Sequence, residues 1–168
     1  MTLKVPLSPL QKILLTTDGS VTRILEAIRG REIFVETEKQ KIIKADKKIA
    51  GLLKIKEGDK VNYRAVNLRD LSGVLIHAIS YAPLKRLRKE FREDVMKRDV
   101  PIGKILAKLK LEARREIKNF GSMKADKKLS TLFGIPVNAL LLKRNYNIIH
   151  NNEILLNVTE VFPYEFFR

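Results

Sequence analysis

Residues 138–167 read NALLLKRNYNIIHNNEILLNVTEVFPYEFF, and no other stretch constrains the fold as much. Two apolar-rich runs flank Asn151-Asn152, and Asn tolerates the left-handed backbone that a two-residue hairpin turn needs. An isolated hairpin is at best marginally stable in water, so this one must belong to a larger sheet. In its second run, Ile154, Leu156, Val158, Glu160 and Phe162 fall on one side at period 2. A carboxylate in that apolar row is unfavourable unless it has a partner. Either the face is partly open, or Glu160 has a function.

The rest of the chain supplies partner strands. REIFVETEKQKIIKA reads as a long strand, polar toward its middle and near an edge. KVNYRAVNL and GVLIHAISYAP form a second hairpin joined by RDLSG, and EARREIKNFG is a further strand with poor alternation. Helices lie between. Ser8, Pro9 and Gln11 make a capping box with Pro at the first helical position. Ser20 caps a second helix that ends at Gly30, and Asp46 caps a short third. Leu84, Leu87, Phe91 and Val95 have helical spacing over 84–97, Pro101 starts another short helix, and KADKKLSTLFG is a helical or irregular connection. Hairpins dominate and βαβ alternation is missing. The expected fold is therefore α+β, a six-stranded, mostly antiparallel sheet with helices packed on it. No linker-like run divides the chain, so residues 1–168 read as one domain.

Charge and composition narrow the function. The formal net charge is +15, which suits anionic ligands or polyanions. The Lys residues are dispersed except in KADKK, which occurs at 44–48 and again at 124–128. That pentapeptide is too short to predict a structural repeat. Surface lysine carries no sequence readout and aromatic residues make up only 7%, so nucleic acid is not the expected partner. The chain has no Cys, and its two His residues are far apart in sequence, which argues against a transition-metal site. The N-terminus lacks a signal-peptide pattern, and no apolar run approaches a bilayer span. A cytoplasmic location is expected.

Glycine-rich phosphate loops, zinc-protease motifs and nucleophile elbows are absent. His77 alternates with Leu75 and Ile79 and reads as structural, while His150 reads as exposed beside its turn. The remaining candidates are charges on strands. Arg64 lies in VNYRAVNL on the face of Asn62 and Val66, and Glu160 lies in its apolar row. Together they could bind a carboxylate at one end of a cavity and handle a hydroxyl or proton at the other. The structural reading of the same spacing is an ion pair, or two unrelated residues on an exposed face. The helix starts Ser20-Val21-Thr22 and Pro101-Ile102-Gly103 offer outward backbone N–H groups to an anion, and Gly103 permits close approach.

The ordered segments LLTTDGSVTRILE (14–26), VNYRAVNL (61–68), RDVPIGKIL (98–106) and ILLNVTEVFP (154–163) resemble the chorismate pyruvate-lyase family in its archaeal branch. The resemblance implies a six-stranded antiparallel sheet over an enclosed ligand pocket. It also implies cleavage of chorismate, a small dianion, to 4-hydroxybenzoate and pyruvate without metal or organic cofactor. Carried over, the substrate-contacting arginine falls on Arg64 and the carboxylate on Glu160. The backbone contacts fall on Val21 and on Ile102, with Gly103 beside it. Glu160 would be a proton acceptor or would only orient the hydroxyl. Two other readings remain: a small-molecule sensor of the same fold, without turnover, and a basic nucleic-acid-binding module. The motifs begin by residue 14, so the DNA-binding domain that such sensors normally carry is not expected, which weighs against the sensor reading.

Overall fold

The computed structural model describes residues 3–97 and 102–168. Six antiparallel strands form one sheet: β1 (Phe34–Lys44), β2 (Lys60–Asp70), β3 (Gly73–Pro83), β4 (Arg114–Lys124), β5 (Leu140–His150) and β6 (Glu153–Pro163). Their order is β1-β2-β3-β6-β5-β4, so β1 and β4 are the edges. The expected α+β class and strand count hold, as does the edge position of β1.

One expectation is overturned. The pentapeptide KADKK does mark a structural repeat. Each strand of the second half begins 80 residues after its counterpart (34 to 114, 60 to 140, 73 to 153). The helices α3 (Lys47–Leu53) and α6 (Lys127–Phe133) keep the same offset. Irregularities in pairing recur too, at Thr37/Lys39 and Ile117/Asn119, and at Leu68/Arg69 and Ile148/Ile149. Asp46 and Asp126 cap the two helices identically, each accepting from a backbone N–H at 2.8 Å. The pentapeptide holds the last strand residue and this cap, the one junction where both halves need the same local chemistry. The halves join through β3 and β6, where Ile79 pairs with Thr159, so a local two-fold axis passes between these residues.

Helices α3 and α6 pack on one face. The other face carries α1 (Pro9–Thr16), α2 (Val21–Arg29), α4 (Lys89–Met96) and α5 (Ile102–Lys108). Leu14, Leu15, Val21 and Leu25 pack with Val35, Leu68 and Phe162, while Phe91, Val95, Ile105 and Leu106 pack with Tyr146, Leu156 and Val158. The two clusters stand apart, leaving a gap above the sheet centre. The capping box at Ser8 is present, and Gln11 and Ser8 also donate to the Tyr164 and Phe167 carbonyls, tying α1 to the C-terminus. Arg29 donates to the buried Asp70 at 2.8 Å, fixing α2 over the β2–β3 hairpin. Burial alone would raise the Asp70 pKa, but Ser72 and Arg29 more than offset it and hold it at about 2.

The helix expected over 84–97 is split. A 3-10 turn covers Leu84–Arg86, Leu87 is extended, and α4 starts only at Lys89. Leu84, Leu87, Phe91 and Val95 are nonetheless all buried, so the apolar spacing predicted the packing and not the backbone. The uncertain connection KADKKLSTLFG contains α6. Pro101, expected to start α5, and the rest of 98–101 lie outside the described residues.

Candidate functional site

The gap between the helix clusters is a small cavity of about 70 Å³. Its floor is the sheet face carrying Arg64, Ala78, Ser80, Val158, Glu160 and Tyr146. The start of α2 (Ser20, Val21, Thr22) forms one wall, and Ile102 and Gly103 of α5 form the other. All five residues singled out in the sequence therefore line one cavity, although they come from four separate segments. Strand register explains the sheet residues: Arg64 pairs with Ser80, Ser80 with Val158 and Val158 with Tyr146, so one row crosses the floor. Ala78, Glu160 and Arg144 form the next row.

The ion pair of Glu160 is with Arg144, a residue the sequence reading had passed over. Arg144 Nε donates to Glu160 Oε2 at 2.7 Å, and Tyr146 Oη donates to Oε1 at 2.9 Å. Arg144 is completely buried. Its Nη1 donates to the Thr17 carbonyl at 2.9 Å, and its guanidinium lies over the Tyr146 ring, 4.7 Å from the centroid. Burial works against the charged form of Arg144, yet Glu160 and Tyr146 outweigh it and its pKa is raised. Burial, then the neighbouring Glu160 charge, pushes the Tyr146 pKa up, so its hydroxyl stays a donor. Both Glu160 oxygens thus hold one hydrogen bond each from the protein and retain a lone pair for another donor.

The repeat could have pointed to Arg144. Counting 80 residues on from Arg64 reaches it, and the shared KADKK sets that offset. The same step relates Ser80 to Glu160, Val66 to Tyr146 and Val35 to Arg115. The cavity therefore straddles the local two-fold axis, with most of its polar groups on the second-half strands. Arg115, also missed, lines the cavity from edge strand β4. A Cβ at Gly103 would meet Ser20 Oγ at 3.5 Å and Arg115 Nη2 at 3.7 Å, so α5, α2 and β4 converge there.

His77 lies on the opposite sheet face. It is buried, with Nδ1 2.8 Å from Asn67 Oδ1, in the structural role expected of it. Burial lowers its pKa, with Glu38 partly opposing. His150, expected to be exposed, is half-buried, with Nδ1 2.8 Å from the Glu112 carbonyl. The segment before β4 folds back over the turn, a long-range contact that local polarity cannot signal. Among the described residues no group of three His, Asp or Glu could hold a metal ion. No helix there is long and apolar enough to cross a membrane.

A family model described as chorismate pyruvate-lyase Rv2949c-like matches residues 15–168. The Methanocaldococcus jannaschii protein named "Putative lyase MJ0807" is 41% identical over 162 residues, covering 94% of this chain and 79% of its own. Among solved structures, PhnF from Mycobacterium smegmatis matches with a TM-score of 0.76 at 14% identity, covering 89% of this chain and 66% of that one. The effector domain of PhnF matches with a TM-score of 0.72, over 90% of this chain and 92% of that domain. At 14% identity these two likenesses speak to the fold alone.

Proposed function

The chain belongs to the Rv2949c-like chorismate pyruvate-lyase family, and from that membership we propose that it cleaves chorismate to 4-hydroxybenzoate and pyruvate in the cavity between α2, α5 and the sheet. The observation that carries this reading is the meeting of Arg64 and Glu160 in one cavity with the starts of α2 and α5.

Arg64 takes the ring carboxylate, for which a planar guanidinium is the matching fork. Backbone N–H groups at Val21 and Ile102 add donors to the same anion. Glu160 accepts from the C4 hydroxyl at the other end of the ring. In the reaction the C3–O bond breaks and the C4 hydrogen departs as a proton. The C4–H electrons complete the aromatic ring, the ether oxygen becomes the pyruvate carbonyl, and its methylene carbon gains a proton. Aromatisation drives the step, so the protein chiefly holds the reactive conformer. Glu160, with each oxygen already engaged by Arg144 or Tyr146, orients the hydroxyl. The C4 proton passes within the substrate to the methylene carbon. The enzyme works without a cofactor, in the cytoplasm.

The test is to incubate the purified protein with chorismate and follow both products, with and without chelator. Equal turnover in both arms is expected. If the folded protein binds chorismate but leaves it intact, the sensor reading replaces the lyase reading.

A further inference from the structure

Arg115 is a second guanidinium in the same cavity, and the sequence motifs assign it nothing. It occupies the place that Val35 holds in the first half, so this charge exists on one side of the two-fold axis only. Its Nη1 donates to the Asp18 carbonyl at 3.2 Å, while its Nε is buried with no hydrogen-bond partner. No acidic side chain forms an ion pair with it among the described residues. A half-buried cation in that state favours an anion from outside the chain.

Position says which anion. Arg64 is on β2 and Arg115 on β4, four strand spacings apart, or about 19 Å between backbones. The two cations thus approach the cavity from opposite sides. Arg115 lies on the side of Glu160, and its charge is felt at Tyr146, the donor to Glu160. It also lines the outer cleft between α2 and α5, together with Arg23, Lys104 and Lys110. A ring held by its carboxylate at Arg64 and its hydroxyl at Glu160 presents its next substituent, the one beside the hydroxyl, toward this side.

We propose that Arg115 binds a second carboxylate, carried on an ether beside the ligand's hydroxyl, and so makes the site selective for dianions over monoanionic hydroxybenzoates. This rests on the lyase reading for the ligand's orientation. In that reading the second carboxylate belongs to the enolpyruvyl group. The product keeps only the ring carboxylate and loses its hold at Arg115, which favours release.

Calorimetry with two unreactive probes tests this apart from turnover. One is 4-hydroxybenzoate; the other is 3-(carboxymethoxy)-4-hydroxybenzoate, which adds the second carboxylate. The parent protein should bind the dianion about tenfold or more tightly than the monoanion. Arg115→Gln should weaken the dianion about 10–100-fold and leave the monoanion within about twofold, from the loss of a charge-assisted contact. Arg115→Lys should fall between, because it keeps the charge and loses the fork. Equal effects of Arg115→Gln on both probes, or none on either, overturn the proposal. Selectivity for the dianion that survives a failure to turn over chorismate upholds the proposal and removes only the lyase reading. A parent protein that binds neither probe removes both.

Discussion

Arg144 and Glu160 form a buried couple whose members cannot be exchanged singly. Replacing Arg144 by Met leaves the Glu160 carboxylate buried without its ion partner, a change that typically costs about 3–5 kcal/mol. The double replacement Arg144→Met with Glu160→Gln removes the stranded charge as well. It should recover most of that loss in urea unfolding, and a double variant as unstable as Arg144→Met would contradict the account. Glu160→Gln alone tests the chemistry. The amide still accepts from a substrate hydroxyl, so an orienting role predicts about a tenfold fall in kcat. Loss of a general base predicts about 10²–10⁴-fold. Steady-state rates on chorismate separate the two. The sequence placed Glu160 in an apolar row and could not name its partner, because Arg144 sits in LLLKRNYNIIH among residues of every polarity.

Local elements were the most legible. The caps at Ser8, Ser20 and Asp46 and the stop at Gly30 lie where side-chain chemistry alone puts them. The Asn151-Asn152 turn has φ of 50° and 59°, both in the left-handed region. Glycine adopts that region freely, and a β-branched residue pays roughly 1–2 kcal/mol to enter it. Asn152→Gly should therefore match or slightly exceed the parent in thermal midpoint, and Asn152→Val should fall below it by about that energy. A valine variant of parental stability would mean the turn is not held as described. The break at Leu87 was not legible, since a 3-10 turn followed by a helix buries the same apolar residues as a single helix does.

At the scale of the whole molecule, the net charge of +15 acts through the site's surroundings. The outer cleft presents Arg23, Lys104, Lys110 and Arg115 against Glu26. Such a funnel raises the encounter rate with an anion and is screened once the Debye length falls to about 10 Å near 0.1 M salt. For chorismate, kcat/KM should drop several-fold, roughly up to tenfold, between low salt and 0.3 M salt, with kcat little changed. A flat kcat/KM over that series would deny the cleft a steering role.

The sequence by itself determined the α+β class, the strand count, the caps and both β-hairpins, because periodicity and turn chemistry are local. It also marked Arg64 and Glu160 as charges out of place on strands. The repeat was present as KADKK and its 80-residue offset, but only the paired strands gave that offset meaning. Tertiary structure alone decided which charges meet. Strand order places β5 beside β6 and so gives Glu160 its partner in Arg144, while Arg64 and Arg115 face one cavity from β2 and β4. Pairing across a sheet depends on register between segments tens of residues apart. No spacing within one segment encodes it.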